Sequence, residues 1–508
     1  MDVKKKLKIC LVSCLLLILV PTVLAFIAGA IFLHRLEFGP MEPMQVVDTH
    51  AGAPQAVVPR DTIRVAAEWE PALGALVRWP LMVPESLVVE IARDDTLFLL
   101  VEDEKSKAGA EERLVEWGAN LANVRFVVAK QGDAHAWTRD WGPSARFTED
   151  EGYSLVDPWF DDYPVSEADC ESRLYSQRRL LFRNFSSDDL ATEVVADALG
   201  VANTRVPIAL TGGNALVDGH GTVFSTCTVQ NENRSLGVSE DQFFTAVRQQ
   251  MGISRYVMIP NFELFGIQHI DCFLKLLDEE RILVARPPED HAHYERSEAI
   301  VRELSSLTNV YGRPYQIIRI DTPPYWWDFM PAYTNSLILN RKVLVPLYGI
   351  PADRDALETW RKAMPGYQVI GFEHHGGWLE RWMSFDALHC RTRAIWDPKM
   401  LYMAHRRIDQ TVAPAKAYPI EVEITDHSQA GLIRETLELS WRLSGEADWR
   451  VIPLEATADP ETFSASIPGA AADQGIEYFL SAADRSGRQE SLPRTAPDGY
   501  YSFSVASE

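Results

Sequence analysis

Three short segments, far apart in the chain, carry side chains able to do chemistry. Asp386-Ala387-Leu388-His389-Cys390-Arg391-Thr392 sets a cysteine beside a histidine, following the turn-rich His375-Gly376-Gly377. A thiolate at Cys390 is a nucleophile for covalent catalysis. Taken alone, Cys390 reads as a small buried hydrophobe, the commoner fate of a free cysteine. Trp137-Thr138-Arg139-Asp140-Trp141-Gly142-Pro143 puts a carboxylate among aromatics beside a turn. There Asp140 can face a ligand, cap the turn or pair with Arg139. Gln268-His269-Ile270-Asp271 spaces an imidazole and a carboxylate two apart, on one side of an extended backbone, a spacing a structural histidine shares. Thr211-Gly212-Gly213-Asn214 is a tight turn under either reading.

The elements around these segments repeat. Cys272–Leu277 and Ile282–Ala285 flank the turn-prone Asp278-Glu279-Glu280-Arg281, and a helix near His291–Leu307 and a strand at Gln316–Ile320 follow. Ser336–Leu339, Val343–Leu347, a helix near Asp353–Met364 and Gln368–Phe372 give the same order. Earlier in the chain, Ala215–Asp218 and Thr222–Val229 precede a helix whose Ser239 and Gln242 have capping-box spacing, closed by Tyr256–Ile259. Ala145–Phe147 and Ser154–Val156 precede a helix over Asp188–Leu199 and a strand near Arg205–Ile208. Leu87–Ile91 and Thr96–Val101 precede a helix near Ala110–Trp117 and a strand at Val124–Ala129.

Five ββαβ units predict an α/β fold, a pseudo-symmetric five-bladed propeller over residues 61–413; an ordinary α/β sheet with hairpin insertions is the alternative. Asp140, Asn214, His269 and Asn335 each fall at or just before the first strand of a unit. Closure about an axis gathers such positions into one pocket. From Pro414 to residue 508 the texture changes to short alternating strands, among them Ile420–Ile424, Leu437–Leu443 and Glu477–Ser481. These predict an all-β sandwich of the immunoglobulin type.

Composition narrows the partners. With 49 Lys and Arg against 72 Asp and Glu, the formal net charge is -23, which excludes a general nucleic-acid binder and suits a cationic substrate. Lys4, Lys5, Lys6 and Lys8 precede an apolar run from Ile9 to Leu33, long enough for a membrane anchor over residues 1–36. Val23-Leu24-Ala25 offers the small residues of a cleavable signal instead. In both cases the catalytic part is exported, beyond a linker at 37–60. Outside that run only Cys170, Cys227, Cys272 and Cys390 remain, too few and too scattered for a disulfide framework. Neither zinc-ligand spacing nor an EF-hand loop occurs.

Ala67-Glu68-Trp69-Glu70-Pro71, Trp-x-Arg-Asp-x-Gly-Pro at 137–143, Gly-Gly-Asn at 212–214, His269-x-Asp271 and His389-Cys390, in that order, resemble the bacterial peptidylarginine deiminase and agmatine deiminase family of guanidino-modifying enzymes over Ala66 to Pro398. The resemblance implies a pentein-like five-bladed propeller and no metal or organic cofactor. It implies that Cys390 is the nucleophile, His269 the general acid and base, and Asp140 and Asp271 the carboxylates that grip the guanidinium. Trp137, Asn335 and Asn214 would line the pocket. The expected reaction turns arginine in a peptide or protein into citrulline with loss of ammonia, or agmatine into N-carbamoylputrescine; amidino transfer to an amine and a non-catalytic binding role are further readings. Where relatives that prefer a C-terminal arginine carry arginines for its carboxylate, this chain has Trp159-Phe160-Asp161-Asp162-Tyr163-Pro164. Asp161 and Asp162 would favour an amine or an internal arginine, or form a solvated acidic loop.

Overall fold

A computed structural model describes residues 47–49, 63–128, 136–148, 152–160, 186–262, 267–375 and 381–507. The expected anchor over 1–36, most of the linker, and Asp161 and Asp162 lie outside the described residues. No described helix is long and apolar enough to cross a membrane.

Among the described residues, the first part of the chain is mixed α/β, with five sheets. In three of them the predicted order is present: an antiparallel hairpin, a helix, then a strand parallel to the second hairpin strand. Leu274–Leu276 and Arg281–Arg286 are followed by helix Tyr294–Ser306 and strand Gln316–Asp321. Leu337–Leu339 and Lys342–Leu347 are followed by helix Ala352–Ala363 and strand Gln368–Glu373. Ser144–Thr148 and Gly152–Trp159 are followed by helix Ala191–Leu199 and strand Ala202–Ala209, with Ile63–Val65 added at the edge.

Two units depart from expectation. Thr222 to Val229 is not one strand: it ends at Thr226, and Thr228–Ser235 is helical. The next helix, Glu240–Met251, carries the capping box of Ser239 and Gln242 and ends at Gly252 with φ 66°. Its sheet also takes in Val47–Asp48, read from sequence as linker, which pairs with Val257 and Met258. Leu87–Ile91 is a helix, not a strand: Glu85–Asp94 buries Leu87, Val88 and Ile91 on one face. Its sheet runs Arg393–Trp396, Ala72–Arg78, Thr96–Val101, Val124–Val128, so the strand just after Cys390 lies antiparallel to the one just after Glu68. The first and last catalytic-region segments are thereby fixed together.

The C-terminal region is all-β, in two sheets sharing a core of Tyr418, Ile420, Val422, Leu439, Ile476 and Phe503 among others. Strand Ala417–Asp426 alternates buried and exposed positions along its first half, as one covered face requires. The junction expected at 413/414 falls inside this region, because Leu401–Ala404 already pairs with residues 423–426 and Thr411–Val412 with Ser504 and Val505. Arg488 to Asp397 at 2.6 and 3.0 Å, Arg407 to Asp278 at 2.9 Å and Thr495 to the Pro365 carbonyl at 2.9 Å hold it against the α/β part.

Candidate active site

The residues singled out in sequence sit on turns immediately ahead of the first strands of the sheets. Asp140 is in the short helix Thr138–Trp141 before Ser144, and Asn214 in the turn Gly212–Asn214 before Leu216. Asp271 is in the turn Ile270–Cys272 before Leu274, and Asn335 lies before Leu337. Cys390 comes before Arg393–Trp396. Distant segments therefore deliver their side chains to one place.

Cys390 has no exposed surface. Asn335 Nδ2 donates to its Sγ at 3.2 Å, and Asn335 Oδ1 accepts from the Cys390 and His389 amides at 3.2 and 2.9 Å. Cys390 Sγ is 3.9 Å from Asp271 Oδ2. Asn335 is thus a clamp on the nucleophile's loop. Asn214 braces the loop that carries His269 and Asp271: its Oδ1 accepts from Thr226 N, Thr226 Oγ1 and Ile270 N at 2.9, 3.1 and 3.3 Å. Trp137 is half-buried against the cluster that contains Trp141 and Phe160.

Asp140, His269 and Asp271 converge around Gly213. Asp140 Oδ1 lies 3.4 Å from His269 Nδ1 and accepts from Gly213 N at 3.0 Å. A Cβ on Gly213 would fall 2.6 Å from Asp140 Oδ1, 2.8 Å from His269 Nδ1 and 3.2 Å from Asp271 Oδ2. Only a residue without a side chain fits there. Gly213→Ala is expected to fold yet lose about 10²-fold in kcat/KM, since an ångström of misplacement costs that much; a variant with wild-type turnover would show that these three groups need not be held together.

The electrostatics follow from burial and neighbours. Burial disfavours a charged His269, but Asp140 and Asp271 outweigh it and raise its pKa above the ordinary imidazole value. The Cys272 thiol's hydrogen bond favours a Cys390 thiolate, but burial and the charges of Asp271, Asp140 and Asp386 prevail and push the thiol up to about 11. Asp271 is held below the usual carboxylate range: burial opposes its charge, and the bond to His389 and the charges of His389, His269 and Lys275 more than offset that. Gln268, next to His269, adopts φ 57°, a left-handed conformation rare for non-glycine residues and concentrated at functional sites.

A second layer was not found in the sequence. Glu68, quoted above only as part of a motif, accepts from four segments: Lys275 Nζ at 2.5 Å and Ile338 N at 3.0 Å on Oε1, His389 Nε2 at 2.5 Å and Arg139 Nη1 at 3.1 Å on Oε2. His389 Nδ1 meets Asp271 Oδ2 at 2.6 Å. Burial and Arg139 pull the His389 pKa down, opposed by the charge of Glu68 and the bond to Asp271. Arg139 N donates to the Cys390 carbonyl at 3.1 Å, and Arg391 grips Asp386 through two bonds of 3.0 and 2.8 Å. This network fixes the thiol's position from below. Beside it lies a pocket whose walls include His269, Cys272, Phe273, Met330 and Phe385.

Among known proteins, the model of the Porphyromonas-type peptidyl-arginine deiminase family matches residues 64–394. The chain is 23% identical to the agmatine deiminase of Medicago truncatula, over 64% of this chain and 94% of that one. It is 23% identical to the agmatine deiminase of Stutzerimonas stutzeri, over 61% of this chain and 90% of that one. The fold is that of a solved agmatine deiminase of Enterococcus faecalis, with a TM-score of 0.53 and 18% identity, over 66% of this chain and 96% of that one.

Proposed function

The chain belongs to the Porphyromonas-type peptidyl-arginine deiminase family, and from its site we propose that it hydrolyses the guanidinium group of a small cationic substrate, agmatine first, to a ureido group and ammonia. The observation that carries the hydrolysis is the convergence of Cys390 Sγ, Asp271, Asp140 and His269 on one another, with His269 also lining a pocket. A guanidinium is planar and cationic, so Asp140 and Asp271 can hold its nitrogens by charge-assisted bonds and face its carbon to sulfur. The thiolate adds to that carbon. His269, kept protonated by its two carboxylates, gives its proton to the departing nitrogen. A thiouronium remains on Cys390, and water activated by His269 releases the ureido product and the thiolate.

Agmatine leads because the relatives quoted above are named agmatine deiminases, which moves the emphasis away from the peptide substrate put first from sequence. The second reading, arginine within a peptide, is favoured by the family's own description and by Trp326 and Trp327, 50% and 60% exposed and a few residues before Met330 of the pocket wall. We read the five sheets as the blades of a pentein-like propeller, the C-terminal region as an immunoglobulin-like sandwich, and the protein as exported by its N-terminal segment.

Agmatine and a set of arginine peptides supplied in parallel to the full chain decide the substrate. Agmatine is expected to be preferred by about tenfold or more in kcat/KM, a difference of about 1.4 kcal/mol in transition-state binding, with N-carbamoylputrescine and ammonia formed together. Citrulline in peptides without N-carbamoylputrescine would select the peptidyl reading. Folded protein that releases no ammonia from any guanidine would sink the hydrolase.

A further inference from the structure

Cys272 has no part in the chemistry above, yet its unbridged thiol lies against the nucleophile. Asn335 Nδ2 sits 3.2 Å from Cys390 Sγ and 3.8 Å from Cys272 Sγ. Cys272 Sγ is 3.6 Å from Asp271 Oδ1, and Cys390 Sγ 3.9 Å from Asp271 Oδ2. One donor atom from each of Asp271, Cys272 and Cys390 lies within 4.8 Å of the others. A tetrahedral Zn²⁺ with bonds of about 2.3 Å to sulfur and about 2.0 Å to oxygen places its ligand atoms about 3.5 to 3.8 Å apart. Each sulfur is therefore about one such edge from an oxygen of Asp271, and the three donors lie near enough for one ion to draw them together.

We propose that Asp271, Cys272 and Cys390 form a site for a thiophilic divalent cation, Zn²⁺ being the probe, and that its occupancy reversibly stops turnover by taking the nucleophile. Binding replaces two S–H bonds with two metal–sulfur bonds and releases two protons; nothing is oxidised. Two thiolates select a soft or borderline cation over Mg²⁺ or Ca²⁺. Cys272 and His269 both face the pocket, which gives the ion its entry path and leaves its fourth position to water. Asp386, within charge range of the Cys390 thiol, adds negative potential there. The hydrolysis itself needs no metal.

Reduced, metal-free full-length protein titrated with Co²⁺ tests this without turnover, so a failure here is distinct from a failure of the hydrolase reading. One Co²⁺ per chain is expected, with thiolate-to-metal charge-transfer absorption that Zn²⁺ displaces and Mg²⁺ does not. Cys272→Ser and Cys390→Ala should each abolish that absorption. In turnover assays Zn²⁺ should inhibit, a chelator should restore the rate, and Cys272→Ser should raise the inhibiting Zn²⁺ concentration about tenfold or more relative to its own uninhibited rate. Absence of the thiolate absorption in wild type, or its survival in either variant, overturns the site. Inactivation that a reductant but not a chelator reverses, with both thiols lost, replaces it by a Cys272–Cys390 disulfide.

Discussion

Cys390→Ala is expected to lower turnover by roughly 10⁴-fold or more, the scale on which covalent catalysts lose activity with their nucleophile, while a cationic substrate still binds. The binding should survive because the groups that hold charge, Asp140 and Asp271, are fixed by Gly213 N and by His389 rather than by sulfur. The thiol itself carries a second, quantitative expectation. With its pKa pushed up to about 11, only about 10⁻⁴ of Cys390 is thiolate at neutral pH in the free protein, far less than for an ordinary thiol. Alkylation of Cys390 by neutral iodoacetamide should therefore be slow and should rise about tenfold per pH unit with no plateau near 8.5. The negative charges that suppress the thiolate are the ones that favour a bound cation, so substrate entry is what makes the nucleophile. A plateau in the alkylation profile near 8.5 would mean that the thiolate is formed before substrate arrives.

How far the sequence could be read depended on whether a feature has a period. Antiparallel hairpins with tight turns, such as Leu337–Leu339 with Lys342–Leu347, announce themselves by two apolar runs and a polar break, and their helices by burial spacing such as Ala356, Trp360 and Ala363. Leu87 to Ile91 misled because a run of β-branched and apolar residues resembles a strand, and the helical spacing of Leu87, Val88 and Ile91 is visible only over the longer Glu85–Asp94 window. Thr228–Ser235 is polar except for Val229 and gave no apolar stripe to read. At the site, the ordered motifs pointed to Cys390, His269, Asp140 and Asp271, four side chains that the fold brings close to one another. The bonds that Asn214 and Asn335 make were not legible, because whether an amide faces a ligand or a backbone is decided by partners at positions 226, 270, 389 and 390. Glu68 was overlooked for the same reason, although two signals pointed to it. It precedes strand Ala72–Arg78 as Asp140 and Asn335 precede theirs, and Lys275 stands in the otherwise apolar strand Leu274–Leu276 and so needs a buried anion.

That anion carries the largest expected effect on stability. Glu68→Gln keeps the volume but removes the charge that four segments share, leaving Arg139 and Lys275 buried with a neutral amide that can accept at only one atom. Breaking a buried ion network in this way costs about 3–5 kcal/mol, read as a lower urea midpoint at unchanged slope. Burial already draws the Lys275 pKa down to about 8 with Glu68 charged beside it, and without that anion it falls further, so release of the Lys275 proton offsets part of the loss. Lys275→Met in the Glu68→Gln background should recover part of the stability, with a coupling of about 1 kcal/mol or more between the two sites; strict additivity would mean that the pair acts independently. The pH dependence has a fixed sign. Burial works against the Glu68 charge, but His389, Lys275 and Arg139 hold its pKa well below the ordinary carboxylate value. Its contribution is complete above an unfolded-state pKa of about 4.3 and is lost as pH falls through the lower folded-state value. The gap between wild type and Glu68→Gln should therefore close on acidification below about pH 4. Because Arg139 and His389 also hold the Cys390 loop, the variant should lose kcat under conditions where it is still folded, joining the stability of the network to the aim of the thiol.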